Sequence, residues 1–273
     1  MSIVRKKPLL MGILNVTPDS FSDGGRYDTT DAALKRAALM LEEGADIIDI
    51  GGESTRPYSL SVSSGQQIHR VIPVIKAIRQ QLCNRIPISI DTRLGKVARL
   101  ALAEGATFIN DVSAGQSDPE LFQVAAIADC PIVLMHMQGN PQTMQDNPCY
   151  TDVVTEVLEN LQTRAAAAIA AGIRRENIII DPGIGFGKRP QHDLALIKHL
   201  ARFSDSGFPV LLGASRKQFM RTLTGASSEA SLAITTATTT ALAVMAGVSI
   251  VRVHDVKANR QALDLAWAIR ESV

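Results

Sequence analysis

Cysteine is scarce in this sequence, and neither sign of charge is in excess. The three cysteines, Cys83, Cys130 and Cys149, are widely spaced and form no C-x-x-C pair, which argues against a disulfide framework or a zinc cluster. The 28 Lys and Arg residues are balanced by 27 Asp and Glu residues, and a formal charge of +1 creates no global field that would hold a polyanion. We therefore expect no nucleic-acid partner.

Long apolar runs are also absent. No stretch approaches the roughly twenty residues that cross a bilayer, so no membrane partner is expected. The amino-terminal stretch MSIVRKKPLLMGILNV imitates a signal peptide, but its apolar run covers only residues 9–14 and no small-residue cleavage site follows. We interpret this run as the first strand and expect a soluble, cytoplasmic protein.

What the sequence does contain is a repeat of short apolar runs, separated by longer segments with helical spacing of apolar residues. At 273 residues and 46% hydrophobic content, the chain can bury a sizeable core. It has no linker or low-complexity tract, so we expect one domain over residues 1–273. The candidate strands are Leu9–Leu14, Ile47–Ile50, Ile86–Ile90, Phe108–Ile109, Ile132–Met135, Ile178–Ile180, Val210–Leu212 and Ile250–Val253.

Strands that are apolar on both faces and alternate with helices indicate parallel pairing. Eight such units in this length predict an α/β fold, a closed (β/α)8 TIM barrel. An open doubly wound sheet is the alternative. The longest irregular stretch, Asn140–Tyr150, is expected after the fifth strand.

Polar residues follow nearly every predicted strand. In a barrel the loops after the strands surround one open mouth, so these residues converge even when they are far apart in sequence. A single Asp after a strand is more often a helix cap than a catalyst, but so many coincidences on one face favour a functional site. The residues are Asn15, Glu53, Ser54, Thr55, Arg56, Asp91, Asn110, Asp111, His136, Asp181, Ser215, Arg216, Lys217, Arg252 and His254.

These side chains sort into acceptors and donors. Asp91 and Asp181 suit a cationic or amidine-like group, because a carboxylate accepts paired N–H bonds from a planar donor. Arg252 and His254 are two residues apart on a strand, project to the same side and suit an oxyanion or phosphate. The strand-to-helix turn at 215–217 offers free backbone N–H groups as a second anion site.

Eight motifs resemble those of the dihydropteroate synthase family, in the same order and over most of the chain. They are MGILNVTPDSFSDGG, GADIIDIGGESTRP, ISIDT, INDVSA, LMHMQG, IDPGIGFGK, GASRK and VRVHDV. The resemblance implies a homodimeric barrel transferase of folate biosynthesis that sulfonamides inhibit. It implies condensation of 6-hydroxymethyl-7,8-dihydropterin diphosphate with 4-aminobenzoate, giving 7,8-dihydropteroate and diphosphate, with Mg²⁺ required.

The family's reaction leaves positive charge on a methylene carbon while diphosphate departs, so a cation and an anion must be stabilised together. Asp91 is our candidate for the cation side. The resemblance implies catalytic roles for Asp91, Lys217 and Arg252. It assigns Asp91, Asn110, Asp181 and Lys217 to the pterin ring, and Asn15, Arg252 and His254 to the diphosphate.

The implied protein ligand of Mg²⁺ is the amide oxygen of Asn15. Because Mg²⁺ keeps several waters and uses phosphate oxygens of the substrate, we expect metal binding to depend on diphosphate.

Two long loops follow the first and second strands. We hypothesise that the first loop, flexible through Gly24 and Gly25 and carrying Phe21, closes over the diphosphate and helps to build the aminobenzoate pocket. The second loop is Glu53–Ser63. Tyr58 stands where the family usually has Gly, so this position loses access to positive φ and gains an aromatic ring. The conformation of the second loop and the sulfonamide sensitivity of the protein therefore do not follow from the resemblance. The resemblance implies that the aminobenzoate ring contacts Thr55, Pro57, Phe186 and Lys217, and that its carboxylate lies at the helix start marked by Ser215.

Two other functions stay open. A corrinoid-type pterin-binding methyltransferase domain shares the barrel but needs no diphosphate site, so Arg252 and His254 favour the synthase. A non-catalytic pterin-binding paralogue would likewise not need a site for the leaving group. His136 fits a structural role and pocket lining equally well, and Lys188 is interpreted as a bridge between loops or as a strand cap.

Overall fold

The computed structural model describes residues 6–17, 26–54, 59–82 and 85–272. Over these ranges, eight strands pair in parallel in one sheet. They are β1 (Leu9–Asn15), β2 (Ile47–Gly51), β3 (Ile88–Asp91), β4 (Phe108–Asp111), β5 (Ile132–Met135), β6 (Ile178–Asp181), β7 (Leu211–Leu212) and β8 (Ile250–Val253).

The sheet closes into a barrel. Its strand order is β6-β5-β4-β3-β2-β1-β8-β7, and a parallel bridge between Ile180 and Val210 joins β6 to the residue before β7. The predicted (β/α)8 TIM barrel is therefore confirmed, and the open doubly wound alternative is wrong.

Helices connect successive strands and cover the outside of the barrel. Their starts follow local signals: Asp152 accepts hydrogen bonds from the backbone N–H groups of Val154 and Thr155, and Ser63 forms a capping box with Gln66. None of the described helices combines the length and apolar character that a membrane span requires. A 3-10 helix covers Arg175–Asn177, and the α-helices of the described ranges are α1 (Arg26–Glu42), α2 (Ser64–Gln81), α3 (Gly95–Ala103), α4 (Glu120–Ala128), α5 (Val153–Ala170), α6 (Pro190–Lys198), α7 (Leu200–Ser204), α8 (Gln218–Thr224), α9 (Glu229–Ala246) and α10 (Val256–Glu271).

The barrel interior is apolar at one level and charged at the next. Because side chains alternate along a strand, the residue two positions further on points into the same interior. Asp49 therefore lies above Ile47, and Arg252 above Ile250. The apolar level consists of Met11, Ile47, Phe108, Val133, Ile179, Leu211 and Ile250. It forms the floor on which the polar mouth rests.

Candidate active site

Asp91, Arg252 and Asp49 are linked by ion pairs at the carboxyl end of the barrel. Arg252, on β8, donates from Nη2 to Oδ2 of Asp91 and from Nε to Oδ2 of Asp49, at 2.6 Å in both cases. Asp91 ends β3, and Asp49 is the middle residue of β2. Asp49 is 0% exposed and Asp91 is 7% exposed, so both pairs are shielded from water. The structure thus brings the predicted residues Asp91 and Arg252 into direct contact.

Asp91 is poised between its neutral and charged forms. Burial raises the pKa of Asp91 to about 7, Arg252 opposes this rise, and the nearby carboxylates of Asp49 and Glu53 add to it. A ligand that brings positive charge next to Asp91 would therefore favour the carboxylate form. Such a shifted acid in a cleft is typical of a functional site.

Asn110 faces the same interior from β4. Its Nδ2 donates to Oδ2 of Asp49 at 3.2 Å, and this is the oxygen that also accepts from Arg252. The Asn110 side chain is buried, so the bond fixes the plane of its amide. A fixed amide suits recognition of a flat heterocycle that carries both donors and acceptors.

Asp181 ends β6, and within the described part of the chain only one of its two oxygens accepts a hydrogen bond. Its Oδ1 accepts from the backbone N–H of Gly183 at 2.7 Å. Its Oδ2 faces Gly213, and a Cβ built on Gly213 would lie 3.6 Å from this oxygen. Because Gly213 has no side chain, there is space beside Oδ2. Burial raises the pKa of Asp181 to about 6, although the Gly183 N–H and Lys217 oppose the rise.

Replacing Gly183 tests how tightly this turn is packed. Gly183 has φ +68° and a Cβ there would overlap the carbonyl oxygen of His136, whereas Gly225 has the same φ and no described atom within 4 Å of an added Cβ. We expect Gly225→Ala to lower the free energy of unfolding by about 1–2 kcal/mol through φ alone. Gly183→Ala should lower it by about 1–3 kcal/mol more through overpacking. Urea unfolding measures both, and equal losses would contradict the packing shown by the structure.

Lys217 lies at the boundary between the polar mouth and an apolar wall. Its Nζ is 3.9 Å from the centre of the Phe186 ring, a cation–π contact. Phe186 is buried with Val112, Met135 and Met144. Burial lowers the pKa of Lys217 to about 8, so the ammonium form still predominates at pH 7. Lys217 and Phe186 can therefore form one side of a pocket for an aromatic ligand.

His254 follows β8 and is held by Ser215. The backbone N–H of His254 donates to Oγ of Ser215 at 3.1 Å, and its Nδ1 lies 3.0 Å from the same oxygen. Burial lowers the pKa of His254 to about 3, with Arg252 and Arg216 adding to the effect, so the imidazole is neutral at pH 7. The residues predicted for the diphosphate and for the aminobenzoate carboxylate are thus neighbours.

Arg216, in the same turn, is engaged elsewhere. Its guanidinium pairs with Asp255 at 2.6 Å and with Glu229 at 3.0 Å. Its charge is already balanced by these carboxylates. Of the turn at 215–217, Ser215 and Lys217 are the residues that contact other predicted site residues.

Lys188 joins the loops that follow β5 and β6. Its Nζ donates to the carbonyl oxygens of Phe186 at 3.0 Å and of His136 at 3.4 Å, and lies 3.0 Å from Nδ1 of His136. Burial lowers the pKa of Lys188, and burial also lowers the pKa of His136 to about 3. The structure therefore supports the bridging role of Lys188, with a neutral His136 as its partner.

Asn15 ends β1 and faces the space above Gly51. A Cβ added at Gly51 would lie 3.6 Å from Oδ1 of Asn15 and 3.6 Å from Oδ2 of Asp91, so both oxygens border the same space. Among the described residues, no group of three or more His, Cys, Asp or Glu side chains could hold a metal ion. A single neutral amide oxygen fits Mg²⁺ only if phosphate oxygens and waters complete its coordination.

Glu53 fixes the base of the second loop. Its Oε1 accepts from the backbone N–H of Val62 and from Nη2 of Arg93, both at 3.0 Å, and Gln67 donates to its Oε2 at 3.3 Å. The end of the loop, the start of α2 and the loop after β3 are therefore tied together. Several predicted residues lie outside the described ranges, namely Phe21, Gly24, Gly25, Thr55, Arg56, Pro57 and Tyr58.

Asp49 is the residue of the site that the sequence analysis missed. It lies inside the apolar run of β2, whereas the prediction of the site rests on polar residues at strand ends. The charge of Asp49 within an apolar run could have identified it, because Asp is almost never fully buried without a partner. A lone Asp in the middle of a buried strand therefore indicates an ion pair at that level of the barrel.

Comparison with known proteins agrees with this geometry. The profile of the family described as "Pterin binding enzyme" matches residues 11–254. A dihydropteroate synthase of Synechocystis sp. is 44% identical over 264 residues, which are 97% of this chain and 91% of the relative. A Xanthomonas albilineans dihydropteroate synthase solved with 4-aminobenzoic acid has a TM-score of 0.91 and 42% identity, and the match covers 98% of this chain and 95% of that one.

A second structure of the Xanthomonas albilineans enzyme, in complex with 7,8-dihydropteroate, has a TM-score of 0.88 and 40% identity, covering 100% of this chain and 97% of that one. A barrel with this mouth and this profile is a pterin-binding enzyme. Within that class the chain belongs to the dihydropteroate synthase family of transferases, so the resemblance of its motifs is confirmed.

Proposed function

We propose that the protein condenses 6-hydroxymethyl-7,8-dihydropterin diphosphate with 4-aminobenzoate, giving 7,8-dihydropteroate and diphosphate. The observation that carries this proposal is the 2.6 Å contact between Asp91 and Arg252. It sets an acceptor for a cation beside a donor for an anion. The reaction breaks a carbon–oxygen bond and forms a carbon–nitrogen bond at one methylene carbon, where both charges develop.

The pterin ring would bind on the floor of the mouth. Oδ2 of Asp181 accepts no hydrogen bond from the described residues and suits the amidine-like N–H edge of the ring, since a carboxylate accepts paired N–H bonds. Asn110, held by Asp49, and the ammonium of Lys217 would complete the ring's hydrogen bonds. Close packing around the ring excludes water and orients the methylene carbon.

Asp91 and Arg252 would then stabilise the two opposite charges that develop as the carbon–oxygen bond breaks. As the carbon–oxygen bond breaks, positive charge grows on the carbon and Asp91 stabilises it. Arg252 and the neutral His254 donate hydrogen bonds to the departing diphosphate. Because these groups are already oriented by their neighbours, they need little reorganisation during the reaction.

The aminobenzoate ring would bind against Phe186 and Lys217, with its carboxylate near Ser215. Its neutral amine attacks the methylene carbon and loses one proton, which the departing diphosphate can accept. No covalent enzyme nucleophile is required. We also propose that Phe21, Thr55 and Pro57 complete this pocket.

Mg²⁺ is part of the proposal. Asn15 would hold it together with oxygens of the diphosphate, and when bound the ion would neutralise charge on the leaving group. Asn15 contributes a single neutral amide oxygen, so affinity for the ion should depend on the presence of the diphosphate.

We propose a homodimer formed through α9 and α10, which pack against each other. Large apolar side chains remain exposed on both helices, and an exposed apolar patch marks an interaction surface. Light scattering that gave the mass of one protomer would contradict this assembly. The exposed apolar side chains are Ile234, Leu242 and Met245 on α9 and Leu265 and Ile269 on α10.

Dihydropteroate formation by the purified protein, measured across pH with Mg²⁺ present, tests the proposed reaction. Asp91 has a raised pKa and is neutral below it, so kcat/KM should rise as pH increases through about 7. Lys217 has a lowered pKa and loses its proton above it, so kcat/KM should fall as pH increases through about 8. A bell-shaped profile with its maximum between these values is expected, and no product at any pH would reject the proposal.

A further inference from the structure

We infer that Asp49 is a positioning residue for the proposed reaction, one that fixes Asn110 and Arg252 relative to each other. The inference rests on the proposed function. Asp49 would not touch the reacting atoms. It would set the distance between Asn110, which would hydrogen-bond to the pterin ring, and Arg252, which would bind the diphosphate.

The connectivity of Asp49 is the first argument. In the sheet, β2 pairs with β1 and β3, whereas Asn110 lies on β4 and Arg252 on β8. A single oxygen of Asp49 therefore joins side chains from two strands that are not its neighbours, at 3.2 Å and 2.6 Å. Backbone pairing does not supply this link, because it joins only adjacent strands.

The geometry of Arg252 is the second argument. Asp49 occupies its Nε and Asp91 occupies one N–H of Nη2. A guanidinium has five donors in a rigid planar fork, so fixing two of them orients the rest. The Nη1 end makes no hydrogen bond to the described residues, and it is the end that would be presented to an anion.

The cost of burying Asp49 is the third argument. Its other oxygen, Oδ1, is buried and has no hydrogen-bond partner in the described ranges. The level of the barrel just below is filled by apolar side chains such as Ile47. A buried carboxylate with an unsatisfied oxygen weakens a fold that an apolar residue would stabilise, and such local violations are typical of functional sites.

Steady-state kinetics of Asp49→Asn provides the test, with Ser89→Ala as the matched control. Ser89 is a fully buried polar residue of neighbouring β3 whose Oγ has no partner among the described residues. We expect Asp49→Asn to lower kcat/KM for the dihydropterin diphosphate by about 10- to 100-fold, because small misplacements of reacting groups have effects of this size. KM for this substrate should rise while KM for 4-aminobenzoate stays unchanged. A merely structural role would reduce the active fraction and leave both KM values as they are.

A double substitution shows whether Asp49 acts through Arg252. In an Arg252→Ala background, adding Asp49→Asn should lower kcat/KM far less than it does in the wild type, since residues that act as a unit are non-additive. Equal effects in the two backgrounds would overturn the inference, and so would wild-type kinetics in Asp49→Asn. Should Asp49→Asn not fold, Asp49→Ala, which carries no buried polar group, replaces it.

The two proposals fail in different ways. If the wild type forms no dihydropteroate, the proposed function fails. Calorimetric titration with dihydropterin diphosphate still measures how the Asp49→Asn substitution changes the binding of this compound. Weaker binding of this compound by Asp49→Asn, with unchanged binding by Ser89→Ala, would then support the positioning role. Equal binding by all three proteins would overturn it.

Discussion

Asp91→Asn is expected to lower kcat by about 10²- to 10³-fold, the size of effect seen when one preorganised group at a developing charge is removed. Asn has the same shape as Asp but carries no charge, so it cannot stabilise the positive methylene carbon. Binding of the dihydropterin diphosphate in the ground state should change by much less, because the carboxylate acts mainly on charge that develops in the transition state. Single-turnover kinetics and equilibrium binding separate the two effects.

Asp46→Asn is the matched control for this prediction. Asp46 lies just before β2, at the opposite end of the barrel, where it accepts from the backbone N–H of Leu10 and from Arg260. The same chemical change there should leave kcat unaltered, because residues at that face of a barrel act on stability. Equal losses of kcat and of binding in Asp91→Asn would argue against its role on the cation side.

Arg252→Ala has the second large expected effect. Removing the guanidinium takes away the donor to the diphosphate and leaves Asp49 and Asp91 without their shared cation. Affinity for the dihydropterin diphosphate should fall by about 10- to 100-fold, as expected for losing charge-assisted hydrogen bonds of about 1.5–3 kcal/mol. Affinity for 6-hydroxymethyl-7,8-dihydropterin, which lacks the diphosphate, should change little. Calorimetric titration with both compounds measures this difference.

Stability should fall in the same variant. Breaking a buried ion pair by removing one partner typically lowers the free energy of unfolding by about 3–5 kcal/mol. Arg260 is the matched control, since its side chain is 18% exposed against 19% for Arg252 and it pairs with Asp46 and Asp264 away from the mouth. Arg260→Ala should lower stability without changing affinity for the diphosphate compound. If Arg252→Ala weakened both pterin compounds equally, Arg252 would belong to the pterin pocket instead.

Most of the barrel could be predicted from the sequence because parallel strands that are buried on both faces consist of consecutive apolar residues. The run Ile132–Met135 matches β5 residue for residue. Other strands extend past the predicted run: β3 and β6 include Asp91 and Asp181, which are polar but continue the strand pairing. A prediction that ends each strand at its last apolar residue therefore stops one residue early in β3 and β6.

The site could be predicted only at strand ends, where one rule gathers residues from all over the chain. Asp49 accepts from Asn110 and from Arg252, which are 61 and 203 positions away, and no local pattern encodes such pairings. The partners of Arg216 likewise appear only in the folded chain, since Asp255 is 39 positions away. Local patterns therefore identified the residues of the mouth but not the hydrogen bonds that orient them.

Diphosphate release by the wild-type protein distinguishes a synthase from a protein that only binds pterins. The protein is mixed with dihydropterin diphosphate and Mg²⁺, with and without 4-aminobenzoate, and both diphosphate and dihydropteroate are measured. We predict that diphosphate release matches dihydropteroate formation and depends on 4-aminobenzoate and on Mg²⁺. Measurable pterin binding without any release would contradict the proposed reaction and indicate a non-catalytic pterin-binding protein.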